Sequence, residues 1–114
     1  MEIKTEDYNI IYDKTSHSII FDGSLRLNGS AGYASILELL SYVARQEPEK
    51  IVLDLRELNF LNSSGIGILS KFVIDVRNRK NIQMVVMGAK KNPWQNKSLK
   101  NLQRLMPSLK LELE

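Results

Sequence analysis

The sequence predicts an α/β fold in which one mixed β-sheet packs against helices in the order ββαβαβαβ. Three observations indicate this class. Short runs rich in β-branched and aromatic residues are typical of strands, three segments carry apolar residues at helical spacing, and the two patterns alternate after the first pair of strands. Such alternation favours parallel strands joined by right-handed crossovers.

The N-terminal third of the chain predicts a β-hairpin followed by a loop. Residues 8–12 and 18–27 have strand-like composition, and the polar residues 13–17 between them suit a turn. Residues 28–32, with the sequence NGSAG, predict a loop. A first amphipathic helix follows, because apolar residues recur at helical spacing until Pro48.

The rest of the chain predicts two more helices and three more strands. Residues 51–55 are a short apolar run typical of a central strand covered on both faces, and residues 82–87 predict a second buried strand. Between them, a helix begins near Ser64. Pro93 suits the first position of a third helix, Asn92 can cap it and Pro107 ends it. Residues 109–113 alternate in polarity and predict a strand at the edge of the sheet.

Length and composition predict one soluble domain spanning residues 1–114. The chain has 43% apolar residues and no cysteine, so disulfides and thiolate metal sites are excluded. The acidic start and the absence of a long apolar run argue against a signal peptide and a membrane span, and favour a cytoplasmic protein.

The charge is unevenly distributed along the chain. Residues 1–70 contain six Lys/Arg and ten Asp/Glu, whereas residues 71–114 contain ten and three. We interpret the basic half as a solvated helical surface. A nucleic-acid or anionic-membrane surface is the alternative, but few aromatic residues accompany the basic ones.

Little in the sequence supports catalysis. His17 is the only histidine and lies in a predicted turn, while Asp22 and Asp54 lack a matched second acid or base. The GxxxxGK[ST] phosphate loop is absent. Trp94 is expected at the edge of the core. We therefore expect a protein that is not an enzyme and carries no cofactor or metal.

The segment of residues 51–68, IVLDLRELNFLNSSGIGI, carries the functional prediction. A buried strand runs through a polar turn directly into a helix, and Ser63 falls at the junction. Unpaired amides and the helix dipole make this position favourable for an added phosphate. The local pattern also fits a purely structural reading, in which Asn62 or Ser63 caps the helix and the glycines allow close packing.

The run from Lys50 to Gly88 resembles the core of the STAS family, named for sulphate transporters and anti-sigma factor antagonists. The hallmark is a VLDL strand followed by F-[LM]-D-S-S-G-[LIV], and its counterpart here is FLNSSGI at residues 60–66. The resemblance implies a mixed sheet with helices mainly on one face. In the anti-sigma antagonist branch the first serine of the motif is phosphorylated, and it corresponds to Ser63, with Ser64 as the fallback. Asn62 departs from the usual Asp.

The resemblance implies a bacterial partner-switching protein in transcription regulation and signal transduction. Its partners would be an anti-sigma factor that is also a serine kinase of the histidine-kinase-like ATPase type, and a phosphatase. A non-phosphorylated adaptor or scaffold subunit of a signalling or lipid-transport complex is the alternative. The expected partner-binding residues are Asn28, Gly29, Ser30, Asn62, Ser63, Ser64, Gly65, Ile66 and Gly67.

Overall fold

A computed structural model describes residues 1–114 as a six-stranded sheet with four helices. The strands are β1 (Glu2–Lys4), β2 (Tyr8–Asp13), β3 (Ser18–Leu25), β4 (Lys50–Leu61), β5 (Gln83–Gly88) and β6 (Lys110–Leu113). The helices are α1 (Gly29–Gly32), α2 (Ala34–Arg45), α3 (Ser63–Arg79) and α4 (Pro93–Leu105). None of these helices has the length and apolar composition needed to cross a bilayer.

The strands lie in the sheet in the same order as in the chain. β1, β2 and β3 pair antiparallel, and β3, β4, β5 and β6 pair parallel, so the sheet is mixed as expected. The three parallel connections contain α2, α3 and α4. Because each crossover steps in the same direction and such crossovers are right-handed, all three helices lie on one face of the sheet.

Burial along β4 shows the consequence of this one-sided arrangement. Ile51, Leu53 and Leu55 are fully buried under the helices, whereas Val52 and Asp54 are only half-buried on the opposite face. The expectation that residues 51–55 form a strand covered on both faces is therefore wrong. The run is apolar because its open face also carries a valine.

The element order differs from ββαβαβαβ at two points. β1 precedes the hairpin, and residues 28–32 contain the short helix α1 in place of a loop. β1 has one half-buried residue, Ile3, and α1 has no buried residue. Neither element therefore has the repeating pattern of apolar residues from which a strand or helix is predicted. The prediction of β6 as an edge strand is confirmed.

Candidate functional site

The predicted partner-binding segments meet where two parallel strands end. β3 and β4 pair up to Leu25 and Leu61, and the amide of Asn62 donates to the carbonyl of Leu25 at 3.3 Å. Because parallel strands end at the same edge of the sheet, α1 and the start of α3 lie side by side above it. Residues about 35 positions apart in sequence thus share one surface.

Asn62 holds these two segments together. Its side-chain oxygen accepts from the Gly65 amide at 3.0 Å, as a helix cap, and from the Tyr33 hydroxyl at 2.6 Å. Its side-chain nitrogen donates to the Leu27 carbonyl at 2.8 Å. Both polar groups of this side chain are therefore used inside the protein, and the side chain acts as a latch between α1 and α3.

Tyr33, which donates to Asn62, is a buried part of this latch. The residue is 1% exposed, although it stands at the junction of α1 and α2. Burial raises the pKa of the Tyr33 phenol, and its hydroxyl donates to the side-chain oxygen of Asn62.

Ser63 lies on the outside of the same junction. It is exposed and is the first residue of α3, whereas Ser64 is half-buried. Side-chain hydrogen bonds in the first two turns come from Asn62 and Ser70, and neither Ser63 nor Ser64 takes part in them. The hydroxyl of Ser63 is therefore free at the positive end of the helix dipole.

The two glycines that follow have opposite surroundings. A Cβ on Gly65 would overlap the Leu61 side chain and lie 2.7 Å from the Tyr33 hydroxyl. A Cβ on Gly67 would meet nothing within 4 Å, and this residue is exposed. The packing role inferred for both glycines applies to Gly65, whereas Gly67 leaves bare backbone on the surface. Ile66 between them is half-buried against the core.

The other half of the surface is α1. Asn28, Gly29 and Ser30 are all exposed, and no side chain caps this short helix. Gly29 has a positive φ of 59° with open space around it, so glycine is required here by the backbone and not by packing. The three predicted residues therefore lie together on the surface next to Ser63.

Arg26 was not predicted as a site residue, and it lies over Phe60 of the hallmark motif where β3 and β4 end. The guanidinium carbon of Arg26 lies 4.3 Å from the centre of the Phe60 ring, and Phe60 is 36% exposed. Phe60 lies in β4 opposite Ser24 of β3, and Arg26 directly follows β3. Only the parallel register brings the two together, so no local sequence pattern could have identified the pair. Arginine and aromatic residues are enriched at binding hot spots.

A second hydrogen-bond network, which the sequence also did not predict, joins the end of β4 to the first residues of α4. β4 pairs with β5 only as far as Asp54, so beyond this residue the side of β4 that faced β5 has no strand partner, whereas the other side still pairs with β3. Gln95, fully buried, donates to the carbonyls of Leu55 at 2.6 Å and Leu58 at 3.1 Å, and accepts from the Ala89 amide at 2.8 Å. The indole of Trp94 also donates to Leu58. α4 therefore positions the strand that leads into Ser63.

Asn92 belongs to this network in a different role from the predicted one. It occupies the cap position of α4 but makes no side-chain cap bond. Its side-chain nitrogen donates instead to the Arg56 carbonyl at 3.1 Å. Asn92 therefore stands at the N-cap of α4 as predicted, but its side chain binds the strand carbonyl and makes no cap bond to the helix.

Asp54, one of the strand carboxylates, is held in an ion pair on the open face of the sheet. Burial raises the pKa of its carboxyl, but the hydrogen bonds and charge of Arg56 outweigh burial and keep the pKa below its usual range. Arg56 lies 2.9 Å from Asp54 and 3.1 Å from Glu114. This cluster ties β4 to the C-terminal residue, away from the α1–α3 surface.

A family model described as the STAS domain matches residues 14–112. The chain belongs to the STAS domain family. The match includes β3, β4 and α3, so the hallmark motif and the α1–α3 surface both lie within it. A comparison with curated proteins finds no match.

A solved structure has the same fold. It is a chain of the crystal structure of the diguanylate cyclase SiaD in complex with its activator SiaC from Pseudomonas aeruginosa. The TM-score is 0.75 at 11% identity, and the similarity covers 100% of this STAS domain and 99% of that chain. At this identity the likeness shows the fold alone.

Proposed function

We propose that this STAS domain is a non-catalytic cytoplasmic regulator that resembles an anti-sigma factor antagonist. Its α1–α3 surface would bind a kinase that also serves as the anti-sigma factor, and phosphorylation of Ser63 would change which partner is bound. The observation that carries the proposal is the position of Ser63, which is exposed at the first residue of α3 and whose hydroxyl makes no hydrogen bond within the protein.

The chemistry of this position favours a switch without refolding. A phosphate brings about −1.5 to −2 charges and three acceptor oxygens. Asn62 already caps the Gly65 amide, while the amides of Ser63 and Ser64 precede the first intrahelical bond and are available to the phosphate. The added charge would therefore change the surface and leave the helix in place.

Asn62 changes how a kinase could recognise the Ser63 site. Many phosphorylated members of the family have Asp at the position of Asn62. Here the side-chain amide of Asn62 is hydrogen-bonded to Leu27, Tyr33 and Gly65. Asparagine places no like charge beside a phosphorylated Ser63. Recognition by the kinase would then rely on α1 and on the exposed pair of Arg26 and Phe60.

The test combines mass measurement with partner capture. Intact mass and site mapping on protein from its native cell would detect a phosphate and place it on Ser63 or Ser64. Pull-downs with Ser63→Ala and Ser63→Asp would then compare the retained partners. Ser108→Ala and Ser108→Asp are matched controls, because Ser108 is exposed in the turn before the parallel strand β6, whereas Ser63 follows the opposite end of the parallel strand β4.

We expect phosphate on Ser63, different partners for the two Ser63 variants and unchanged partners for the Ser108 variants. Phosphate on Ser64 alone would move the modification to the fallback residue. Unmodified serines together with identical partners for both Ser63 variants would reject the switch.

A constitutive adaptor or scaffold subunit is the second candidate. It is supported by the fold shared with a chain from a complex between a cyclase and its activator, in which a protein works by binding another protein. An adaptor would co-purify stably with one partner whatever residue stands at position 63. The same set of pull-downs therefore separates the two functions.

A further inference from the structure

Positive charge is concentrated on two neighbouring helices. Residues 63–105 contain nine Lys/Arg and a single acidic residue, Asp75. This range covers α3, β5 and α4, and α3 packs against α4. Six of these basic residues therefore lie on two helices that pack against each other.

α4 presents most of this charge on one side. Lys97, Lys100 and Arg104 are exposed and follow the spacing i, i+3, i+7, which places them on one helix face. Leu99 and Leu102 are buried on the other side. The three charges span about 10 Å along the helix axis.

These charges have no counterpart within the protein. All the ion pairs of the basic residues involve Arg56, Arg79, Lys91 and Lys110. No carboxylate lies within 4.0 Å of Lys97, Lys100 or Arg104, and the same is true of Lys71, exposed on α3. Like charges spaced three or four residues apart on a helix repel, so this face does not stabilise the fold.

We propose that Lys97, Lys100 and Arg104, together called the basic face, dock an acidic segment of a protein partner. Complementary charge from outside would relieve the repulsion and speed association. The basic face is formed by side chains that take no part in the α1–α3 surface. The inference therefore stands whether or not Ser63 is phosphorylated.

Two other anionic partners fit the face less well. Nucleic-acid binding without sequence preference uses exposed aromatic rings for stacking, but Trp94 is half-buried and its indole donates to Leu58. A helix lying on a membrane inserts exposed apolar residues, and the exposed residues of α4 beyond Pro93 are all polar. A short acidic peptide needs neither feature.

The experiment measures binding of a fluorescently labelled oligoglutamate peptide to the full chain by anisotropy across a salt series. The test variant is Lys97→Glu/Lys100→Glu/Arg104→Glu. The control is Lys4→Glu/Lys14→Glu/Lys50→Glu, which makes the same change in net charge at exposed residues without ion pairs outside α3 and α4. Circular dichroism and urea unfolding show that both variants fold.

We expect the basic-face variant to lose at least about tenfold in affinity and much of its salt dependence, and the control to lose less than about threefold. Equal losses in both variants would overturn the proposal, because net charge alone would then explain binding. Tighter binding of a DNA duplex or of phosphatidylserine vesicles through the same three residues would also overturn it. Ser63→Ala should bind the peptide as tightly as the unmodified protein does. If the basic face fails to bind the peptide, the proposed phosphorylation switch at Ser63 is therefore not affected.

Discussion

At the scale of single residues, Asn62 shows why an amide stands where the motif usually has a carboxylate. The Gly65 amide and the Tyr33 hydroxyl need an acceptor, and the Leu27 carbonyl needs a donor. An asparagine side chain offers both, and the three partners fix its orientation. A carboxylate could serve the first two but would face the Leu27 carbonyl without a proton.

Replacing Asn62 by Asp should therefore destabilise the fold. We expect a loss of about 1–3 kcal/mol in the free energy of unfolding, because the Leu27 carbonyl loses its donor next to a negative charge. Urea unfolding at neutral pH measures this. Asn59→Asp, at an exposed position of β4, is the control and should change the free energy of unfolding little. Equal stability of Asn62→Asp and the unmodified protein would show that the bond to Leu27 contributes nothing.

Gly65 and Gly67 allow a paired prediction on one helix. Gly65→Ala should lower stability by about 1–3 kcal/mol, since its Cβ would overlap Leu61 and crowd Tyr33. Gly67→Ala should raise stability by up to about 1 kcal/mol, because alanine favours a helix and the site is open. Thermal or urea unfolding of both variants decides this, and a destabilising Gly67→Ala would contradict the open surroundings.

At the scale of elements, the end of β4 is paired with β3 on one side and is supported by α4 on the other side, where pairing with β5 has ended. Gln95→Ala should cost on the order of 3 kcal/mol, because the Leu55 carbonyl and the Ala89 amide lose their partner in a buried site. The Leu58 carbonyl loses one of two donors and keeps Trp94. Asn96→Ala, at the next, exposed position, should change stability by less than about 0.5 kcal/mol. Urea unfolding compares the two, and similar small losses would rule out a supporting role for Gln95.

The link between β4 and the C-terminal residue predicts a pH dependence. The folded pKa of Asp54 lies below its unfolded value, so its contribution to stability is present above the unfolded pKa and is lost as pH falls. In Arg56→Gln the charge and the side-chain hydrogen bonds that lower the pKa of Asp54 are lost, while burial and the hydrogen bond from the backbone amide of residue 56 remain. The pKa of Asp54 therefore rises in this variant. The stability deficit of this variant should therefore be largest at neutral pH and shrink toward about pH 3.

Urea unfolding at several pH values measures this deficit. Arg45→Gln is the control, because Arg45 is exposed and has no carboxylate within 4.0 Å. Its stability difference should stay nearly constant with pH. A constant deficit for Arg56→Gln would mean that Arg56 does not control the ionisation of Asp54.

The sequence predicted the elements that carry a strong hydrophobic period. The α/β class, the three long helices and the edge strand β6 are confirmed, whereas β1 and α1 bury too little to leave a pattern. The same limit applies to the site. The position of Ser63 between β4 and α3 can be read from the local motif. The hydrogen bond of Asn62 to Leu27 and the contact of Arg26 with Phe60 depend on the register between β3 and β4, which the sequence does not show.

At the scale of the whole molecule, a charge at position 63 should change the surface and preserve the fold. Ser63→Asp adds a carboxylate at the exposed first residue of α3, where the helix dipole favours it by about 0.3–1 kcal/mol. Ser108→Asp, in a turn before β6, should give no such gain. We therefore expect a slightly higher free energy of unfolding for the Ser63 variant alone.

Amide hydrogen exchange tests the same prediction residue by residue. The slowest exchange should lie in β2, β3, β4 and β5, which are flanked by strands on both sides, and faster exchange in the edge strands β1 and β6. In Ser63→Asp the pattern should change only around the start of α3 and in α1, because the Asn62 latch joins the two. Loss of protection across the central strands would mean that a charge at this position unfolds the domain, and a switch confined to the surface would then be wrong.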